Sequence, residues 1–94
     1  MPDNDDDGVK LALQAFYMHN VFPGQDYRHF KTGTIYRIKE ISLNEPDLVP
    51  LVSYRDANDV TAIVWTRTLD VFGGYVTNNC TMVKRFERVF NLRP

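Results

Sequence analysis

The chain has 94 residues, 44% hydrophobic and 13% aromatic, which is enough for one small core, too few for two, and incompatible with wholesale disorder. Its formal net charge of -1 hides an asymmetry: of 12 acidic residues, Asp3, Asp5, Asp6 and Asp7 precede Gly8, and the chain from Gly8 onward carries 11 basic residues against 8 acidic ones. No apolar run nears the roughly 18 residues of a membrane helix, the acidic N-terminus is the reverse of a secretory signal, and the single cysteine, Cys80, precludes an internal disulfide, so a cytoplasmic protein without membrane contact is expected.

Residues 1–7 read as an acidic, disordered tail leading into a single domain over 8–94. Val9, Ala12 or Leu13, and Phe16 recur at helical spacing, predicting one amphipathic helix over 8–19 with Asp6 or Asp7 as its cap. Carboxylates ahead of it suit the positive end of the helix dipole. Asn20 is a suitable left-handed stop, and Pro23-Gly24 forbids continuation.

From Tyr27 the texture turns β-rich. Thr34 to Leu43 is predicted as a strand after the Thr32-Gly33 turn, and Asn44 to Asp47 as a loop. Leu51 to Arg55 and Val60 to Arg67 follow as a hairpin joined by residues 56–59. Thr68 to Phe72 suits a single helical turn capped by Thr68, ended by Gly73-Gly74. Tyr75 to Thr77 then pairs through Asn78-Asn79 with Cys80 to Phe86. Five short strands in about 60 residues predict a mainly β fold, α+β at the margin. The expected architecture is a small five-stranded SH3-like β-barrel over about 27–90, preceded by one N-terminal helix, with closure removing exposed edges.

Chemistry concentrates in three places. In Tyr27-Arg28-His29-Phe30-Lys31, alternation puts Tyr27, His29 and Lys31 on one face, a combination able to stack a base and hold a phosphate. The competing reading packs Phe30 in the core and leaves the polar residues to nearby carbonyls. Tyr54-Arg55 and Trp65-Thr66-Arg67 each join an aromatic to an arginine. Arg67 shares a strand face with Trp65, so its guanidinium is placed to lie over the indole, or else to pair with Asp70 or Glu40. The run Lys84-Arg85-Phe86-Glu87-Arg88, with Arg93, is either a modest nucleic-acid footprint or a solvated terminal strand. His19, His29 and Cys80 lack zinc-finger spacing, so no metal or cofactor is expected.

The ordered set Tyr27-Arg28-His29-Phe30-Lys31, Tyr36, Tyr54-Arg55, Trp65, Arg67, Leu69, Phe72 and Arg85-Phe86 resembles the prokaryotic and phage family catalogued as domain of unknown function 1653. Members of that family open with Tyr-Arg-His-Phe-Lys-Gly. The resemblance covers roughly residues 24 to 88. Thr32 replaces the opening glycine, Thr68 and Lys84 stand where the family usually has proline, and Asn44 where histidine is frequent, which argues against a two-histidine site. The resemblance implies a compact β-rich domain and supplies no activity, cofactor or catalytic residue. Its matching positions are mostly aromatic and arginine, with few aliphatics, as a ligand site would need.

The expectation is a non-enzymatic binding module. Tyr27, Arg28, His29, Tyr54, Arg55, Trp65 and Arg67 hold a nucleotide-like anion or a short single-stranded nucleic acid. Two alternatives stand beside it. One is a protein-interaction module, such as an inhibitor of a host protein, using the helix and acidic tail. The other is a small hydrolase using His29 with Cys80. The sequence leaves monomer and homo-oligomer equally open.

Overall fold

The computed structural model describes residues 3–90. Helix α1 spans Asp3–His19, so it begins five residues before the expected start at Gly8. Its inward face runs through Val9, Ala12, Ala15 and the fully buried Phe16, whereas Leu13 points outward. The stop is the expected one. Asn20 takes a φ of 54°, Val21 N–H donates to Phe16 O at 3.0 Å, and Asn20 N–H to Tyr17 O at 3.2 Å. This is a Schellman arrangement, and its apolar contact is made by Val21 and Phe16, both in the core.

Five strands form one antiparallel sheet: β1 (Asp26–His29), β2 (Ile35–Asn44), β3 (Val49–Asp56), β4 (Trp65–Thr68) and β7 (Phe86–Val89), in the order β4-β3-β2-β1-β7. Between β4 and β7 the chain makes a one-turn helix, α2 (Leu69–Phe72), and a two-stranded ribbon of β5 (Tyr75–Asn78) and β6 (Thr81–Lys84). The fold is mainly β with one long N-terminal helix. The expected closed barrel is not formed, because the edge strands β4 and β7 do not pair with one another. Side chains supply the contact there: Phe72 of α2 stacks on Phe86 of β7, with ring centroids 4.4 Å apart and planes 12° from parallel. Both edges are only four residues long, which limits the exposed backbone ladder.

Two further departures shape the site. Residues 60–64 were expected to open a strand, but β4 starts only at Trp65, and Tyr54 pairs directly with Trp65. The cause is turn chemistry. Asp56 Oδ1 accepts from Asn58 N–H at 2.8 Å, and Asp59 Oδ1 accepts from Thr61 N–H at 2.9 Å and from Thr61 Oγ1 at 2.7 Å. These bonds hold the backbone in successive turns through the segment. The expected strand Cys80 to Phe86 is likewise split at Arg85. There the N–H donates to Gly74 O at 3.0 Å and the carbonyl accepts from Phe30 N–H at 3.0 Å, tying the ribbon to the main sheet.

In β2, Tyr36 and Ile38 face inward, then Ile41 and Leu43, so the inward phase slips by one residue. A bulge between Ile38 and Glu40 absorbs the slip, and the local bend curls the sheet around the core. That core is Phe16, Val21, Tyr27, Ile38, Val52, Tyr54, Leu69, Phe72 and Phe86. α2 is capped as expected, with Thr68 Oγ1 accepting from Val71 N–H at 3.3 Å.

Candidate functional site

Of the seven residues expected to bind ligand, the fold brings His29, Tyr54, Trp65 and Arg67 around one cavity of about 360 Å³. Tyr36, Thr66 and Phe86 complete its lining. The floor is a set of aromatic rings meeting edge to face: Tyr36 and Tyr54 at 5.2 Å, Tyr54 and Phe86 at 5.3 Å. These rings also belong to the core or pack against it, so the cavity is an opening in the core's own aromatic cluster.

The other three go elsewhere. Tyr27 shares the inner face of β1 with His29, as alternation requires. It is buried in the core, its hydroxyl donating to Gln25 Oε1 at 3.0 Å. Burial pushes its pKa up, with the nearby Arg88 acting in the opposite sense. Arg28 points to the outer face and pairs with Glu87 of β7 at 3.5 Å, directly across the register. Arg55 also faces outward, in a shallow depression with Arg37 and Lys39. Lys31 lies beyond the end of β1 in an exposed turn, so it does not share the strand face.

Trp65 is 51% exposed. Packing in the core, the usual place for a lone tryptophan, is therefore not its role. Arg67, two residues on, faces the same way but does not lie over the indole. Its Nε–H donates to the Tyr54 hydroxyl at 2.9 Å. Asp70 and Glu40 do not pair with it; the ion pairs among the described residues are Arg28 with Glu87 and Arg37 with Asp26. With Nε anchored, the two terminal guanidinium nitrogens remain available as a fork for an anion.

His29 forms the opposite wall, its ring 5.1 Å from Phe86 and nearly perpendicular to it. Its Nδ1 accepts from Lys31 N–H at 3.2 Å, which places the proton of the neutral imidazole on Nε2. Burial lowers its pKa first, and the positive charges of Arg67, Arg85 and Lys31 lower it further. No aspartate or glutamate lines the cavity. A neutral donor ring, a fixed guanidinium, an exposed indole and an aromatic floor together suit an anionic ligand with a flat, apolar part.

Tyr36 and Phe86 were not counted as site residues from the sequence, although both fall among the positions that carry the family resemblance. Cys80 occupies the β5–β6 turn at a φ of 65°, exposed, and neither hydrogen bonds nor cavities join it to His29 among the described residues. Within the basic run, Lys84 and Arg88 line one cavity, with Arg88 over Phe90 at 4.5 Å, while Glu87 holds Arg28. Arg93 lies outside the described residues. No group of three or more His, Cys, Asp or Glu side chains converges among the described residues, and no described helix is long and apolar enough to cross a membrane.

Fold and site together define a small, mainly β domain with an aromatic-arginine cavity opening from its core. The chain belongs to the family described as a protein of unknown function (DUF1653), whose model matches residues 25–88. The crystal structure of a DUF1653 protein from Bordetella bronchiseptica is similar at 24% identity and a TM-score of 0.63, covering 82% of this chain and 97% of that one. No curated protein matches the chain. Helix α1 ends before the matched segment begins, so the site lies within the family's shared portion and the helix outside it.

Proposed function

We propose that this protein is a non-enzymatic cytoplasmic binding module whose His29–Tyr54–Trp65–Arg67 cavity holds a nucleotide-like anion. The observation that carries this reading is the half-exposed Trp65 beside an Arg67 that is anchored by a tyrosine hydroxyl and has no carboxylate partner. An indole face stacks a base, worth about 1–3 kcal/mol per base in comparable sites. The free end of the guanidinium takes the phosphate. A bounded cavity favours a mononucleotide or the end of a short single strand over a long strand lying across a flat sheet.

Trp65 is the only tryptophan, so its fluorescence reports the site directly. Titration with adenosine monophosphate and with a short oligothymidylate is expected to quench it saturably, and Arg67→Ala to weaken binding about tenfold or more, given ~1.5–3 kcal/mol for a hydrogen bond to a charged group. Folded Trp65→Phe and Arg67→Ala variants that bind as well as the parent, followed by calorimetry, would falsify the assignment.

A protein-interaction reading has one observation in its favour. Leu11 and Met18, two helical turns apart on the outer side of α1, are 71% and 84% exposed. A Leu11→Lys, Met18→Lys double variant that left nucleotide binding intact but abolished a partner's association would favour that use of the helix.

A further inference from the structure

A second cavity, of about 210 Å³, lies away from the Trp65 site, between the end of α1, the end of α2, and strands β6 and β7. His19 comes from α1, Lys84 from β6 and Arg88 from β7, and no acidic residue is among its lining. The Arg88 guanidinium sits over Phe90 at 4.5 Å, and its carbon is 6.0 Å from the Tyr27 ring centre. Its Nε is buried and has no hydrogen-bond partner. A buried, charged donor without an acceptor is costly, because it loses water and gains nothing in return. His19 is held close by a glycine: a Cβ at position 73 would stand 2.9 Å from His19 Nδ1. The negative end of the α1 dipole is also here, but it amounts to about half a charge against two full positive ones.

We infer that this cavity is a binding site for a small organic oxyanion. A phosphate or carboxylate head is received by Arg88 Nε and Lys84, and an apolar body lies against Val21, Phe86 and Phe90. Arg88 Nε is already shielded from water and the guanidinium is held over Phe90, so an oxyanion at Nε gains a charge-assisted bond without ordering a flexible arginine. The site is independent of the Trp65 cavity, although Phe86 forms part of both walls.

The test is a nuclear magnetic resonance titration of the full chain at constant ionic strength with inorganic phosphate and with phenyl phosphate. The expected result is saturable shifts at the Gly73 and Asn20 amides and the Arg88 Nε–H, with phenyl phosphate binding about threefold or more tightly through its added apolar contact. Lys84→Met is expected to weaken binding about fivefold or more, as loss of one charged contact to a phosphate should, while Arg67→Ala leaves it within about twofold. Arg88→Met risks the fold, since the side chain packs on Phe90 near Tyr27, so Lys84→Met and His19→Gln carry the mutational test. Absence of saturable shifts at these groups, equal binding of the two probes, or phosphate affinity unchanged in Lys84→Met would overturn the site. Loss of the shifts in Arg67→Ala would place the anion in the Trp65 cavity and overturn it as well.

Discussion

Tyr54→Phe removes one oxygen and separates the two roles of this residue. The ring stays, with its contacts to Tyr36, Phe72 and Phe86 at 5.2, 5.5 and 5.3 Å between centroids. The bond lost is the 2.9 Å one from Arg67 Nε–H. A hydrogen bond to a charged group contributes about 1.5–3 kcal/mol when buried, but Arg67 is only half-buried and water can replace the hydroxyl, so about 1 kcal/mol of stability is expected to go. In a domain of this size that lowers Tm by roughly 4–8 °C. The effect on binding is separate. Freed from Tyr54, the Arg67 side chain must be ordered by the ligand, at about 0.5–1.5 kcal/mol, or roughly 2- to 12-fold in Kd for adenosine monophosphate. Thermal unfolding by circular dichroism and Trp65 fluorescence titration read the two quantities. A variant that loses stability but binds unchanged would refute the idea that the tyrosine positions the arginine. A loss above about 3 kcal/mol would show that the hydroxyl does more in the core than one half-exposed bond can explain.

Phe72→Ala opens a hole beneath the stacked Phe86 and is expected to cost about 3–5 kcal/mol in urea unfolding, enough to unfold a marginal domain at 37 °C. Cys80→Gly relieves a side chain held at a φ of 65° and is expected to raise stability by about 1 kcal/mol, seen as a higher urea midpoint. Thr68→Ala removes the cap of α2 and is expected to cost about 1 kcal/mol by the same measurement. His29 has a folded-state pKa below its ordinary value, so its neutral form is the one the fold favours. Its contribution is whole above about pH 6.5 and falls as the pH drops through the unfolded-state value, where the unfolded chain takes up a proton first. Stability at pH 5.5 relative to pH 7.5 is expected to fall less in His29→Gln than in the parent, and equal falls would show that His29 is not the group responsible.

Local signals were readable wherever the cause was local. Asn20, the Thr68 cap and the strand texture of residues 35–43 depend on backbone preferences within a few residues, and each is found where the sequence puts it. The barrel depended instead on whether two distant edges would meet. Residues 60–64, rich in Val and Ile, carry a strand's composition. Asp56 and Asp59 outweigh it by accepting backbone N–H groups that an extended chain would leave free. That starts β4 five residues later and shifts its register on β3 by four, and with the shift comes the Tyr54–Trp65 pairing that puts the indole at the mouth of the cavity. The hairpin drawn from composition alone would have put Trp65 opposite Pro50.

The site was legible as a set of residue types and only partly as a set of faces. Strand alternation separates Tyr54 from Arg55 and His29 from Arg28, so each aromatic-basic pair splits between the cavity and the outer surface. Residues two apart in a strand, such as Trp65 and Arg67, turn their side chains to the same side and both reach the cavity, with Thr66 between them completing its rim. The same reasoning recovers Phe86. It lies directly across from His29 in the β1–β7 register and therefore faces the same side of the sheet. Tyr36 follows from Tyr27, its partner in the β1–β2 register, which is inward because it is buried. The cavity is thus the point at which the inward rows of β1, β2, β3, β4 and β7 converge. Its binding residues are continuous with the core. Substitutions in its floor, and at Arg67 through its bond to Tyr54, should therefore change stability and affinity together, while those at the half-exposed Trp65 should act mainly on affinity.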